Sequence, residues 1–163
     1  MWAIRKNSGF TIVELLIVVV VIGVLAAIVI VAYNGITASA NDAAVRSDLA
    51  NIVKRLEIQK VEDGSYPYPI TTAMDVHVTK SAYYDVNNLY YCYDSATDQY
   101  AVQVRSASGN FFRIEGGSVL EGTGSGGYWA AGTCDILGIT WNGSTNGQFG
   151  YNATNDTWAS WAQ

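Results

Sequence analysis

A long apolar segment near the N-terminus limits the folds open to this chain more than any other feature. The segment from Leu15 to Tyr33 contains no charged side chain and is almost wholly aliphatic. As an α-helix it would be roughly 28 Å long at ~1.5 Å per residue, about the thickness of the hydrocarbon core of a bilayer. The sequence therefore predicts a membrane-spanning helix. The rest of the chain is polar and rich in Gly, Asn, Ser, Thr and Tyr, as in a water-soluble domain.

The residues that flank and begin this segment carry charge. Arg5 and Lys6 precede it, and positive charge on that side predicts a cytoplasmic N-terminus with the remainder of the chain outside the cytoplasm. An ordinary secretory signal has a shorter apolar core than this segment. Glu14 lies at the start of the segment, where a carboxylate within the bilayer costs ~2.5–3.5 kcal/mol. We therefore expect a function for Glu14; the simpler alternative is a membrane anchor in which it reaches the lipid headgroups.

Residues 9–16 read GFTIVELL, and with the basic residues upstream they resemble the type III signal of type IV prepilins and pseudopilins. The resemblance covers residues 5 to about 33, and residues 62–67 (EDGSYP) also look like the end of the first helix in many family members. It implies that a prepilin peptidase cuts between Gly9 and Phe10 and N-methylates Phe10. It further implies that Glu14 of one subunit pairs with the Phe10 amine of a neighbour in a filament.

The same resemblance implies a set of partners and a location. The partners are further copies of the chain, the prepilin peptidase, membrane lipid before assembly, and an assembly ATPase with its platform proteins. The precursor would lie in the cytoplasmic membrane with its head outside the cytoplasm, and would then enter an extracellular filament. We expect the chain to be a structural subunit of a type IV pilus. The alternatives are a pseudopilin of a type II secretion or DNA-uptake system and a membrane-anchored adhesive module.

Four parts follow along the chain. They are a cleaved leader (1–9), a transmembrane and assembly helix (10–33), an amphipathic half of the same helix (34–63) and a globular head (64–163). The helix is expected to stop at Asp63-Gly64, with a weak point at Asn34-Gly35. An apolar stripe at three- and four-residue spacing runs along the amphipathic half, and charged residues, Asp48 among them, are assigned to its other faces. The stripe comprises Val45, Leu49, Ile52, Val53 and Leu56.

The head has the period-two pattern of strands. Residues 89–93, 100–105 and 111–115 predict a three-stranded antiparallel meander, with Val102, Val104, Phe112 and Ile114 as candidates for the face that covers the stripe. Residues 76–79 and 137–141 are possible further strands, residues 116–127 are expected to be a flexible loop, and the tail after Trp141 is expected to form a hairpin. The predicted fold is α+β: a long helix packed on a small antiparallel sheet, as in pilins.

Two cysteines, Cys92 and Cys134, lie in the head without metal-ligand spacing. A disulfide is expected in an oxidising compartment, and two buried free thiols are the alternative. The tail carries several aromatic residues among small polar ones. Packing under the tail is the favoured interpretation, and an exposed surface that binds sugars or a host surface is the alternative. The aromatic residues are Trp141, Phe149, Tyr151, Trp158 and Trp161.

Enzymatic and nucleic-acid-binding functions are not supported by the sequence. The net charge is -5, which argues against a nucleic-acid-binding face. His77 is the only histidine and is expected to be a solvated loop residue, while Asp94 and Asp98 are explained by turn chemistry better than by cation binding. No nucleophile or phosphate-binding motif occurs. We therefore predict no catalytic residue, no metal and no cofactor.

Overall fold

A long helix precedes an antiparallel sheet in the computed structural model, which describes residues 9–84, 88–152, 157–159 and 162. The chain divides into two compact units, residues 1–37 and residues 38–163. The elements in chain order are α1 (Ile12–Asp63), two 3-10 turns (Thr72–Met74 and Lys80–Ala82), β1 (Leu89–Asp94), β2 (Gln99–Arg105), β3 (Phe111–Glu115), β4 (Ser118–Glu121), α2 (Ala130–Asp135), β5 (Gly147–Phe149), β6 (Tyr151–Asn152) and β7 (Thr157–Trp158).

Helix α1 ends where the sequence predicts its end. Its last residue is Asp63, and Gly64 follows with a φ of 82°, a left-handed conformation that glycine adopts without a steric penalty. The Gly64 N–H donates to the Lys60 carbonyl over 2.9 Å, which satisfies one of the free carbonyls of the last turn. Helix α1 continues through Asn34 and Gly35, where a weak point was expected.

The apolar stripe of α1 forms the core of the second unit together with the sheet. Four of its five predicted members are buried and the fifth, Val53, is partly buried against them. All four sheet residues proposed to cover the stripe are at most 1% exposed and belong to the same cluster. The α+β fold is therefore confirmed. The sheet residues are Val102, Val104, Phe112 and Ile114.

The sequence analysis assigned Asp48 to a face of α1 other than that of the apolar stripe, and this assignment is wrong. The Asp48 side chain is buried, and its carboxylate accepts hydrogen bonds from the Thr79 N–H (2.6 Å), the Thr79 hydroxyl (3.2 Å) and the Tyr83 hydroxyl (3.2 Å). The reason lies in the helical period. Asp48 stands three residues after Val45 and four before Ile52, so it shares their face. It attaches the helix to the segment that leads into the sheet.

The sheet contains the three predicted strands and two more. Its order is β4-β3-β2-β1-β5, and every pairing is antiparallel. The prediction of a flexible loop over 116–127 is wrong in part, because residues 118–121 form β4 and pair with β3. The suggested strand over 137–141 is also wrong. These residues form a turn after α2, in which the Ile139 N–H bonds back to the Cys134 carbonyl over 3.3 Å.

The second face of the sheet is covered by the segment that contains α2. Side chains alternate between the faces of a strand, so Tyr91 enters the core while Cys92 and its cross-strand neighbour Ala101 point the other way. Cys92 forms a disulfide with Cys134 of α2. Both cysteines are fully buried. The disulfide that the sequence predicts is thus present, and it joins α2 to the first strand of the sheet.

The tail forms a short hairpin, as predicted, through the pairing of β6 with β7. Trp158 packs edge-on against Tyr83 at 5.4 Å and against Tyr151 at 5.6 Å between ring centroids. These contacts favour the packing interpretation for Trp158, whereas Trp161 lies outside the described residues. The possible strand at residues 76–79 is reduced to one isolated bridge between Val76 and Ala162.

Candidate assembly site

The predicted cleavage position lies just before the first turn of α1. Gly9, Phe10 and Thr11 have no regular secondary structure, and the helix begins at Ile12. The Phe10 side chain is 88% exposed. A peptidase needs access to the peptide bond that it cuts, and the bond between Gly9 and Phe10 is in an exposed segment outside the helical hydrogen-bond pattern. Arg5 and Lys6 lie outside the described residues.

Glu14 and Thr11 cap the N-terminus of α1 reciprocally. The Glu14 carboxylate accepts hydrogen bonds from the Thr11 N–H (2.9 Å) and the Thr11 hydroxyl (2.7 Å). In return, the Thr11 hydroxyl oxygen accepts a hydrogen bond from the Glu14 N–H (3.2 Å). This is the capping-box arrangement, which satisfies two N–H groups that the helix itself leaves free.

The cap fixes the position of the carboxylate relative to the predicted new amino terminus. Glu14 bonds to the N–H of the residue that follows Phe10, so an amine on Phe10 would be one residue away from the bonded group. The carboxylate also lies in the first turn, where the helix dipole favours negative charge. Sequence reasoning assigned a role to Glu14 but missed Thr11. The pattern Thr-x-x-Glu before an apolar run was the signal that could have found it.

The apolar part of α1 exposes large hydrophobic side chains along its whole length. Ile12, Val13 and Leu15 are 86%, 65% and 63% exposed, and further valine, leucine and isoleucine residues up to Ile36 are at least 50% exposed. By length and composition, α1 is the one helix among the described residues that could cross a membrane. Water does not stabilise such a surface. The segment therefore needs lipid or other apolar helices as its surroundings.

The charged residues of the head hold structure together. Asp98 accepts a hydrogen bond from the Tyr66 N–H (2.9 Å) and forms an ion pair with Lys60 (3.0 Å). The Tyr66 N–H, assisted by Lys60, lowers the pKa of Asp98, against a smaller opposing effect of burial. Asp94 accepts from the Ala96 N–H and the Thr97 hydroxyl within its turn. Asp94 thus stabilises the turn between β1 and β2 from within, whereas Asp98 attaches that turn to the end of α1 and to the segment that follows it.

His77 lies in the loop before the sheet, and its side chain is 70% exposed. Its Nδ1 is 3.4 Å from an Asp75 carboxylate oxygen. Within residues 9–84, 88–152, 157–159 and 162, no group of three or more His, Cys, Asp or Glu side chains is placed to hold a metal ion.

Each comparison with known proteins covers part of the chain. A family model described as the prokaryotic N-terminal methylation motif matches residues 4–30. The type II secretion system core protein G of Pseudomonas aeruginosa is 33% identical over 63 residues, which are 39% of this chain and 44% of that protein. The type IV wide pilus major component of Thermus thermophilus is 39% identical over 62 residues, 38% of this chain and 47% of that protein. No solved structure gives a significant match.

The chain thus spans less than half the length of these curated relatives. Its fold is that of an α+β protein with an apolar N-terminal helix and a small antiparallel sheet. By these comparisons the chain is similar to proteins that carry an N-terminal methylation motif and to named components of type IV pili and type II secretion systems.

Proposed function

We propose that the chain is a structural subunit of a type IV pilus that is processed after Gly9 and N-methylated at Phe10. The observation that carries the proposal is the joint placement of three features within a few residues. An unstructured, exposed Gly9-Phe10 bond precedes a helix whose first turn holds a carboxylate, and the helix then exposes apolar side chains on all sides. The match of residues 4–30 to the methylation motif supports the same processing.

Polymerisation would provide partners both for the exposed apolar side chains of this segment and for the Glu14 carboxylate. Apolar helices of neighbouring subunits would cover one another's exposed side chains once lipid is left behind. Glu14 of one subunit would pair with the Phe10 amine of its neighbour, and an ion pair gains most in a low-dielectric bundle where either charge alone is unfavourable. A single polar pair in an apolar bundle also sets the axial register between helices.

The proposed partners and location follow from this assembly. The partners are other copies of the chain, a prepilin peptidase, lipid before assembly, and an ATPase with platform proteins that supply the energy. The N-terminus of the precursor would be cytoplasmic and the head extracytoplasmic. The oxidised Cys92–Cys134 pair is consistent with a head outside the cytoplasm.

A pseudopilin of a secretion or DNA-uptake system is the second candidate. The observation that favours it is the similarity to core proteins G of type II secretion systems from Pseudomonas aeruginosa and Aeromonas hydrophila. The two candidates share processing and helix packing, and they differ in where the assembled chain is found. A pilus subunit is recovered in filaments sheared from cells, whereas a pseudopilin remains with the cell envelope.

Replacement of Glu14 by alanine tests the assembly mechanism. We expect Glu14→Ala to insert into the membrane normally and to be absent from sheared filaments or from cross-linked oligomers in the envelope. Glu62→Ala, an exposed glutamate on the same helix, is the matched control and should assemble like the wild type. Normal assembly of Glu14→Ala would refute the pairing.

A further inference from the structure

A cluster of aromatic rings reaches the surface on the face of the sheet opposite the α1 stripe. Phe149 of β5 is the cross-strand partner of Tyr90 of β1, with ring centroids 5.5 Å apart. Trp141 packs against both, at 5.3 Å from Phe149 and 6.2 Å from Tyr90. Tyr90 is buried and forms the floor, Trp141 is partly buried, and Phe149 is 41% exposed. We call Trp141 and Phe149 the aromatic platform.

The turn that presents Trp141 is held in place by hydrogen bonds at several points. The Asn146 side chain accepts from the Asn142 N–H (2.6 Å) and donates to the Thr140 carbonyl (2.8 Å). The Tyr68 hydroxyl lies within hydrogen-bond distance of the Gly143 and Gly147 carbonyls, at 3.1 and 3.0 Å. Because these bonds exist without a ligand, the free-energy cost of ordering the platform on binding would be small.

Gly147 contributes to the same pre-organisation by letting the Trp141 ring approach closely. A Cβ atom at this position would lie 2.6 Å from carbons of that ring, closer than real contacts allow. The indole therefore rests directly on the backbone of β5 and cannot move inward. The ring is fixed from behind, and its outward part remains available for contact.

The platform lies in a stretch of sequence without charge. No charged residue occurs between Asp135 and Asp156, and the residues that follow Trp141 in the sequence include exposed amides and hydroxyls such as Asn142, Ser144 and Thr145. Nucleic acid would require cations for its phosphates, and none is found in this stretch. A partner that suits aromatic rings bordered by neutral hydrogen-bonding groups is itself neutral, with apolar faces and hydroxyl edges.

From these observations we infer that the aromatic platform binds a neutral polysaccharide made of β-linked pyranose rings. Sugars with equatorial hydroxyl groups have flat C–H faces that stack on aromatic rings, while their hydroxyls bond to amide side chains at the edge. A surface of this kind could attach the chain to cell-wall or extracellular polysaccharide. The inference does not depend on whether the subunit belongs to a pilus or a pseudopilus.

The test is cosedimentation of the purified full-length protein, kept soluble in detergent, with microcrystalline cellulose and with chitin. The wild type is expected to bind at least one of them in a salt-insensitive manner. Trp141→Ala should weaken binding about tenfold, the loss of one stacking ring. Phe149 is the more exposed ring of the platform, and Phe149→Ala should also weaken binding. Trp141→Tyr should retain most of the binding.

Trp129→Ala is the matched control. Trp129 is 58% exposed, but its ring lies over Gly127 rather than in the platform. The Trp129→Ala variant should bind like the wild type, and near-UV circular dichroism should show that every variant is folded.

Three results would overturn the inference. They are failure of the wild type to bind both polymers, equal losses for Trp129→Ala and Trp141→Ala, and a change of oligomer size in Trp141→Ala with unchanged polysaccharide binding. The last would mean that the platform contacts a second copy of the chain.

Discussion

Replacement of Asp48 by alanine should destabilise the head more than any exposed change on α1. The carboxylate is 7% exposed and accepts three hydrogen bonds, two from Thr79 and one from the Tyr83 hydroxyl. Tyr83 is itself only 4% exposed. After Asp48→Ala, the Tyr83 hydroxyl has no acceptor there, and water reaches the site poorly.

The expected magnitude follows from these contacts. Loss of hydrogen bonds to a charged group costs about 1.5–3 kcal/mol, and a buried hydroxyl left unpaired costs about 1–3 kcal/mol. Removal of the buried charge offsets part of this loss of stability, because the carboxylate no longer has to be desolvated on folding. We therefore expect the free energy of unfolding to fall by about 2–4 kcal/mol. Asp48→Asn keeps the volume and one acceptor and should cost about half as much.

Urea unfolding of the full-length protein in detergent measures this loss. Tryptophan fluorescence is a suitable signal because Trp158 packs against Tyr83. Glu62→Ala, on the exposed side of the same helix, should stay within about 0.5 kcal/mol of the wild type. A double-mutant cycle with Tyr83→Phe isolates the hydrogen bond between the two side chains. If Asp48→Ala unfolds within about 0.5 kcal/mol of the wild type, the attachment of α1 through Asp48 is refuted.

Two further predictions concern the head. Replacement of both Cys92 and Cys134 by alanine should lower the free energy of unfolding by about 4 kcal/mol, because the disulfide closes a loop with a sequence separation of 42; an unchanged urea midpoint would contradict this. The pKa of Asp98 is lower in the folded protein, chiefly through the Tyr66 N–H, so its stabilisation is complete above pH ~4 and is lost as the pH falls through the folded-state pKa. Asp98→Asn should therefore be less stable than the wild type at pH 6 and should lose less stability on acidification; parallel pH profiles of the two urea midpoints would count against it.

Much of the fold was predictable because local pattern and tertiary packing agree. The stripe of α1 has a 3.6-residue period and the meander has a period of two, and the two patterns match the residues that form the core between helix and sheet. The end of α1 was predictable because the left-handed position after Asp63 is occupied by glycine. In each case the decisive information lies within a few neighbouring residues.

The errors have different causes, some local and one that depends on partners distant in sequence. Residues 118–121 were missed for a local reason: Gly116 and Gly117 both have positive φ and form the two-residue turn that pairs Ser118 with Glu115, but these glycines were interpreted as part of a loop. Residues 137–141 look like an apolar strand, but they follow α2, which the disulfide holds against β1. Asp48 was misplaced although its spacing from the stripe residues puts it on the buried face, because a carboxylate was expected elsewhere; its hydrogen bonds come from Thr79 and Tyr83.

The residues of the candidate site come from the sequence motif and remain a prediction, whereas their geometry comes from the structure. Glu14 and the bond between Gly9 and Phe10 were recognised from the motif. The hydrogen bonds between Glu14 and Thr11 within the single chain were not predicted. Assembly would then exchange an internal hydrogen bond for an ion pair with a neighbour.

The N-terminus of the mature protein tests the proposed function most directly. Filaments are sheared from cells, the membranes are collected separately, and the N-terminal peptide of the chain in each fraction is identified by mass spectrometry. We predict a peptide that begins at Phe10 and carries one N-methyl group in the sheared fraction. The same peptide in membranes alone would favour the pseudopilin. A peptide that still contains Arg5 and Lys6 would contradict processing after Gly9, and with it the pairing of Glu14 with a neighbour's amino terminus.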